Sequence, residues 1–113
     1  MSRDDATLLD ILGAARLAVE FCAGTDLPAF LADKKTQSSV MHQLLVLGEA
    51  VTRLSQGFRV RHPVVPWKEM AGMRNMLIHA YDRVDLEEVW NTATADLPAL
   101  ITALSAIAPK SPG

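Results

Sequence analysis

Apolar residues recur every three or four positions along two long stretches of this sequence, and this spacing constrains the fold more than any other feature. Such spacing places side chains on one face of an α-helix. The stretches carry Leu8, Leu12, Ala15, Val19 and Cys22, then Val40, Leu44, Leu47, Val51 and Leu54. Half of the residues are hydrophobic but only 5% are aromatic, a mixture that favours helices over strands. The sequence therefore predicts an all-α protein.

Capping residues and helix breakers predict where the first helices begin and end. A first helix is expected from about Arg3 to Ala23, and Gly24 stops it. A short helical segment over residues 27–31 follows. Asp33 then offers a cap for a longer helix that ends near Ser55.

The second half of the chain predicts a connector and two more helices. Residues 56–66 contain glycine and two prolines, so we interpret them as a turn and connector. A helix is expected from Trp67 to about His79, and Asp85 is a plausible cap for the last helix. Pro98 lies inside that last helix and predicts a kink near Asp96. The predicted architecture is an antiparallel four-helix bundle with a short extra helix.

The chain is expected to form one domain, residues 1–108, followed by a disordered tail, residues 109–113. Its lone cysteine, Cys22, cannot form an internal disulfide. No apolar stretch approaches the ~18 residues that a membrane span needs, and the N-terminus lacks the pattern of a signal peptide. We therefore expect a cytoplasmic protein that makes no membrane contact.

Charge is distributed unevenly along the chain. The net charge of −2 argues against broad, nonspecific coating of nucleic acid. Residues 53–83, however, carry six Lys or Arg against two Asp or Glu, a local charge of +4 between flanks of −3 each. A solvated face that balances acidic helices and a local anion-binding site both explain this pattern. The candidates for steering an anionic ligand or a protein partner are Arg53, Arg59, Arg61 and Lys68.

The segment MRNMLIHAY contains an Arg-x4-His-x-Tyr pattern formed by Arg74, His79 and Tyr81. On a helical projection one apolar sector holds Trp67, Met70, Arg74, Leu77, Ile78 and Tyr81, and another face holds Lys68, Gly72, Asn75, His79 and Arg83. An unpaired charge among core-type neighbours is costly, so Arg74 needs an anionic partner. That partner is either a protein carboxylate, with Glu49 as a candidate, or a phosphate.

Two interpretations of this segment remain open from the residues alone. In the structural one, Arg74 and Glu49 pair at the edge of the core, His79 is a cation at a helix C-terminus and Tyr81 packs. In the chemical one, Arg74 and His79 act together on a phosphate. Being five residues apart, they lie about 140° apart around a helix and do not easily grip one phosphate from a single helix, whereas two copies related by a two-fold axis would bring them together. The chemical interpretation therefore predicts a homodimer.

Four segments in order resemble the HepT-like branch of the HEPN superfamily, over roughly residues 7–107. They are LGEAVTRLS at 47–55, RHPVVPWKEMAGMRNMLIHAY at 61–81, VDLEEVW at 84–90 and DLPAL at 96–100. The resemblance implies a HEPN-like helical homodimer that is the toxin of a type VII-like toxin–antitoxin pair. It also implies a metal-independent endoribonuclease without a cofactor. Its partner would be a minimal nucleotidyltransferase antitoxin, which neutralises the toxin by attaching AMP to the motif tyrosine.

Matched by motif position, Arg74 and His79 would be the catalytic pair and Tyr81 the residue that receives AMP. Asn75 and Glu49 would be supporting polar residues. RNA supplies its own nucleophile, the 2′-hydroxyl, and imidazole groups transfer protons near neutral pH, so cleavage would leave a 2′,3′-cyclic phosphate and a 5′-hydroxyl. The alternative function is a noncatalytic HEPN-fold dimer that binds a nucleotidyltransferase or a nucleotide.

Gly48 precedes one of these supporting residues and has its own prediction. Because glycine has no side chain, it would let two helices approach closely, and simple tolerance of a helical glycine is the weaker explanation. Trp67 and Trp90 are expected to be core anchors rather than platforms for stacking bases.

Overall fold

Seven α-helices account for most of residues 2–109, the part of the chain that the computed structural model describes. They are α1 (Arg3–Cys22), α2 (Leu27–Ala32), α3 (Lys34–Thr52), α4 (Gln56–Arg61), α5 (Trp67–His79), α6 (Leu86–Asn91) and α7 (Leu97–Ile107). A 3-10 turn spans Tyr81–Arg83 and a π-helical turn spans Thr92–Asp96. These residues contain no strand, so the predicted all-α fold is confirmed. Most of the predicted tail, residues 110–113, lies outside the described residues.

The predicted caps account for the ends of the helices. The carboxylate of Asp33 accepts hydrogen bonds from the backbone N–H groups of Lys35 and Thr36 at the start of α3. Asp85 caps α6 in the same way. Gly24 has a φ of +74°, a conformation that glycine adopts without strain, and it turns the chain away after α1. Local sequence chemistry therefore sets these boundaries.

The prediction of a connector over the whole of residues 56–66 is wrong, because α4 occupies the first six of them. The hydroxyl of Ser55 caps this helix by accepting from the N–H of Phe58. The Phe58 ring is buried and packs edge-on against Trp67, with ring centroids 6.1 Å apart. The Trp67 indole also donates to the carbonyl of His62. One buried aromatic and one cap thus hold a helix that has no apolar stripe.

The core lies between α1 and α3, which pack along their length, while α7 covers α1. On the other side of α3 lies α5, which packs chiefly against α3. An apolar groove of about 480 Å³ therefore remains between α5 and α7, with Leu44 and Leu47 of α3 among its lining residues. None of the helices within residues 2–109 combines the length and apolar character that crossing a membrane requires.

The disturbance predicted from Pro98 takes the form of a widened helical turn. Helix α6, the π-helical turn and α7 run on without a break. The N–H of Leu97 donates to the carbonyl of Thr92, five residues back, because Pro98 has no N–H with which to continue the usual ladder. The hydroxyl of Thr94 also donates a hydrogen bond to the carbonyl of Trp90. The chain absorbs the proline without leaving the helix.

Candidate active site

Helices α3 and α5 come into close contact at Gly48. A Cβ atom added there would collide with the Cβ of Arg74 and would lie 3.0 Å from the carbonyl oxygen of Met70. Any other residue at this position would push the two helices apart. The prediction that Gly48 allows a close approach is confirmed, and the contact places Arg74 beside the residue that follows Gly48 on α3.

That following residue, Glu49, is the anionic partner that the charge on Arg74 demands. The Arg74 Nε–H donates to Glu49 Oε1 at 2.6 Å, and Nη1 donates to Asn75 Oδ1 at 2.8 Å. The side chains of Arg74 and Glu49 are 30% and 40% exposed, so solvent screens the pair and its contribution to stability is modest, about 1 kcal/mol or less. Its clearer effect is to orient the guanidinium group.

Two side chains in this network, Arg74 and Asn75, keep hydrogen-bond donors that the network does not use. Within residues 2–109, Arg74 Nη2 makes no hydrogen bond, and neither does the amide nitrogen of Asn75. Both groups are donors only, and Arg74 remains positively charged. The cluster of Glu49, Arg74 and Asn75 can therefore bind a further anion through donors that the protein does not use.

His79 lies outside this cluster. It is the last residue of α5, it is exposed, and its imidazole has no hydrogen-bond partner among the described residues. The helix ends because Ala80 leaves the helical conformation, with φ −138°. His79 is five positions after Arg74 on the helix, so the two side chains point about 140° apart. A single chain thus brings Glu49, Arg74 and Asn75 together but does not add His79 to them.

The predicted alignment of Tyr81 with Arg74 on one helical side is wrong. The helix ends at His79, and Tyr81 lies in the 3-10 turn beyond it with 51% of its surface exposed. Arg83 is in the same turn and is not on the α5 face to which the projection assigned it. Ile78, at the margin of the predicted apolar sector, is 44% exposed. The projection holds for the buried residues of α5, namely Trp67, Met70 and Leu77.

A second concave surface adjoins the cluster, and the sequence did not predict it. An open trench of about 940 Å³, which we call the α4–α5 trench, runs between α4, the connector and α5. Its lining includes Arg59, Val64, Lys68, Gly72 and Asn75. The helical spacing of the α5 residues is visible in the sequence, but the opposite wall is not, because α4 has no apolar periodicity that would predict a helix there.

The other candidate groups are structural. Burial raises the pKa of the Cys22 thiol, which is far from the reactive, low-pKa state. Trp90 packs on Phe30 with ring centroids 5.2 Å apart, and Trp67 is buried, so both tryptophans are the core anchors that were predicted. Within residues 2–109, no group of three or more His, Cys, Asp or Glu side chains is arranged to hold a metal ion.

Comparison with known proteins reveals clear similarities. The profile of a family described as "Ribonuclease HepT-like" matches residues 11–107. A protein of Thermococcus cleftensis named "Probable ribonuclease HepT" is 44% identical over 82% of this chain and 84% of its own length. One from Methanocaldococcus jannaschii, named "Putative RNase", is 38% identical over 88% and 94%. A "Putative RNase" of Caldanaerobacter subterraneus is 37% identical over 80% of each chain. No solved structure gives a significant match.

Proposed function

The chain belongs to the family of HepT-like ribonucleases, and we propose that it is a metal-independent endoribonuclease that works as a homodimer. The observation that carries this proposal is the cluster at the contact of α3 and α5. There Glu49 and Asn75 hold Arg74 in place while donors of Arg74 remain free for a phosphate. A purely structural ion pair does not need the additional donors, nor an exposed histidine one helical turn further along.

The proposed reaction uses the 2′-hydroxyl of RNA as its nucleophile. The 2′-oxygen attacks the adjacent phosphorus, the bond from phosphorus to the 5′-oxygen breaks, and the products carry a 2′,3′-cyclic phosphate and a 5′-hydroxyl. His79 carries out one of the two proton transfers, from the 2′-hydroxyl or to the leaving 5′-oxygen, and water carries out the other. Arg74 donates to the nonbridging oxygens as negative charge accumulates on them. Glu49 and Asn75 are positioning residues that act through Arg74.

Dimerisation follows from the separation of the two catalytic groups. Arg74 and His79 point in directions about 140° apart on one helix, so one protomer does not easily apply both to one phosphate. A two-fold axis near the end of α5 would let Arg74 of one protomer work with His79 of its partner.

Mixing two inactive variants tests this arrangement. Arg74→Ala and His79→Ala protomers, mixed and allowed to exchange, should recover about a quarter of the wild-type activity, because half of the dimers are mixed and each has one intact site. Sedimentation velocity checks that dimers form. No recovery from dimers that demonstrably exchange would contradict a shared site.

The nuclease itself is tested with a labelled single-stranded RNA in EDTA. Wild-type protein should cleave it and leave cyclic phosphate ends, and His79→Ala should lose about 10²-fold or more of the rate. His42→Ala is the matched control, since His42 is also an exposed helical histidine, on α3. Cleavage that depends wholly on added Mg²⁺ would contradict the proposal. Intact RNA together with tight binding to a nucleotidyltransferase would favour the noncatalytic alternative.

We further propose that the protein is a toxin whose activity a minimal nucleotidyltransferase antitoxin blocks by modifying Tyr81. The Tyr81 hydroxyl would attack the α-phosphorus of ATP, releasing pyrophosphate and leaving AMP on the tyrosine. Its 51% exposure, just beyond the end of α5, supports access by an enzyme. The proposal includes the cytoplasmic location expected from the sequence.

Coexpression with such an enzyme and intact-mass measurement test the modification. Wild-type protein should gain one or more AMP units and stop cleaving RNA, whereas Tyr81→Phe should gain none. An equal gain of mass by Tyr81→Phe would place the modification elsewhere.

A further inference from the structure

We infer that the α4–α5 trench binds the single RNA strand and leads it along α5 to the reacting phosphate. The inference rests on the proposed ribonuclease function and names the path of its substrate. It begins from one face of α5. Lys68, Gly72, Asn75 and His79 are separated by four, three and four residues, which places them within about 60° of one another and over about 16 Å of helix. The first three line the trench, and His79 continues the same face toward the end of the helix.

The charges in the trench suit a polyanion. Arg59 contributes from α4 and Lys68 from α5, and among the described residues no carboxylate forms an ion pair with either. The Nε of Arg59 is buried and has no hydrogen-bond partner in this part of the chain. Glu69 is the acidic residue in the lining, and it lies on the ridge that also borders the apolar groove. The trench thus offers cations that the protein itself does not neutralise.

The shape of the trench suits an extended strand. At Gly72, apart from the adjoining backbone of the helix itself, no atom lies within 4 Å of the position that a Cβ would take, so the α5 backbone is open to close approach at the middle of the trench. Val60 and Val64 are 68% and 85% exposed at the α4 and connector side and offer apolar contact to ribose and bases.

Asn75 joins the trench to the catalytic cluster. Its Oδ1 accepts from Arg74, while its amide nitrogen is free to donate to a phosphate in the trench. A strand whose phosphates contact Arg59 and Lys68 would pass Asn75 next and then reach the shared site, where Arg74 of one protomer and His79 of its partner act on one phosphate. Such binding depends on salt and tolerates many sequences, because phosphate contacts dominate it.

The test is the binding of a fluorescent 2′-O-methyl oligonucleotide, which lacks the nucleophilic hydroxyl and stays intact, followed by anisotropy at several salt concentrations. Lys68→Glu should weaken binding about tenfold and reduce the slope of log affinity against log salt by about 0.7. Lys34→Glu is the matched control, because Lys34 is an exposed lysine on another helix, α3. It should bind as the wild type does.

A second pair of variants tests the shape of the trench without changing charge. Gly72→Gln should fill the trench and weaken binding several-fold with an unaltered salt slope. Gly13→Gln is its control, because Gly13 is also an exposed helical glycine with open space around its Cβ position. Circular dichroism melting verifies that all four variants are folded. In cleavage assays the loss caused by Lys68→Glu and Gly72→Gln should fall on KM rather than kcat.

The outcomes separate this inference from the proposed function. If wild-type protein cleaves RNA while Lys68→Glu and Gly72→Gln bind it normally, the trench is not the path and the nuclease proposal survives. If the trench variants lose binding although wild-type protein never cleaves RNA, the path is supported and the nuclease proposal fails. If the variants lose only their affinity for a nucleotidyltransferase, the trench is a protein interface and the inference is overturned.

Discussion

The inner and outer faces of α5 differ in almost every physical property. The inner face buries Trp67, Met70 and Leu77 and lies so close to α3 that only glycine fits at position 48. The outer face leaves its polar residues exposed along an open trench and has free space around Gly72. Packing of the inner face against α3 determines where the helix lies. The outer face carries the exposed polar side chains that a ligand can contact. Arg74 lies at the border between the two faces, where Glu49 of α3 holds its guanidinium group.

The largest effect is expected for Arg74→Ala, which tests whether this border residue belongs to chemistry or to packing. The cleavage rate should fall about 10²- to 10³-fold because a charged donor to the phosphate is lost. The free energy of unfolding should change by about 1 kcal/mol or less, since the ion pair is partly exposed. Single-turnover cleavage and urea unfolding measure the two.

Arg16→Ala is the control for that substitution, because Arg16 is an exposed arginine that donates to Ser105. Arg16→Ala should leave the cleavage rate and the free energy of unfolding nearly unchanged. A large loss of stability in Arg74→Ala, with activity falling only in proportion to the unfolded fraction, would assign Arg74 to the inner face alone.

Gly48→Ala tests the inner face. The added methyl group would collide with the Cβ of Arg74, so α3 and α5 must separate, which should cost about 1–3 kcal/mol of unfolding free energy. Urea unfolding is the measurement, and cleavage should decline as well because Arg74 moves with α5. A variant as stable as the wild type would show that the contact between the faces is looser than described.

Glu49 substitutions test whether the inner face positions the outer one. Glu49→Ala should lower kcat by about tenfold because the guanidinium of Arg74 loses its orientation. Glu49→Gln keeps an oxygen acceptor and should retain more of the rate than Glu49→Ala. Equal activity of the two variants would argue that charge, rather than orientation by a hydrogen bond, is what Glu49 supplies.

Gly72→Ala should change the free energy of unfolding in the opposite direction to Gly48→Ala. The methyl group meets no atom within 4 Å, and alanine favours the helix, so stability should rise by about 0.5–1 kcal/mol. Thermal or urea unfolding reads this out. Destabilisation here would mean that the outer face is packed against something, and the contrast between the two glycines would collapse.

The smallest effect is expected for the hydrogen bonds between Asp4 and Ser55. Ser55 caps α4, the helix that forms one wall of the trench. Hydrogen bonds from the hydroxyl and then the N–H of Ser55 lower the pKa of Asp4 below its ordinary value. The folded form thus favours the charged carboxylate. The contribution of this carboxylate to the free energy of unfolding is present at pH values above the ordinary pKa of aspartate. It is lost as the pH falls through the lowered pKa of Asp4.

Melting curves of Asp4→Asn and wild type should therefore differ slightly at neutral pH and converge in acid. Asp10→Asn is the control, because Asp10 is an exposed α1 aspartate without such a hydrogen bond to another element. A difference that persists at low pH would mean that Asp4 stabilises the fold other than by its charge.

Most of the fold could be predicted because apolar spacing and caps act within a few residues. Helices α1, α3 and α5 followed from their stripes, Gly24 marked the end of α1, and Asp33 and Asp85 marked the starts of α3 and α6. Helix α4 could not be predicted in this way, because six residues with one buried side chain carry no periodicity. Its stability depends on the packing of Phe58 against Trp67 from the next helix. Tyr81 does not share a helical side with Arg74, because α5 ends two residues before Tyr81 and the helical period no longer applies there.

In the candidate site, too, some features follow from the local sequence and others depend on tertiary packing. That Arg74 needs an anion, and that Lys68, Asn75 and His79 share a face, were properties of the chain itself, because charge and helical period are local. That Glu49 supplies the anion, and that a trench lies beside Asn75, depended on how closely α3 and α4 approach α5. Those distances are set by side chains far apart in sequence that must pack together, so no local pattern contains them.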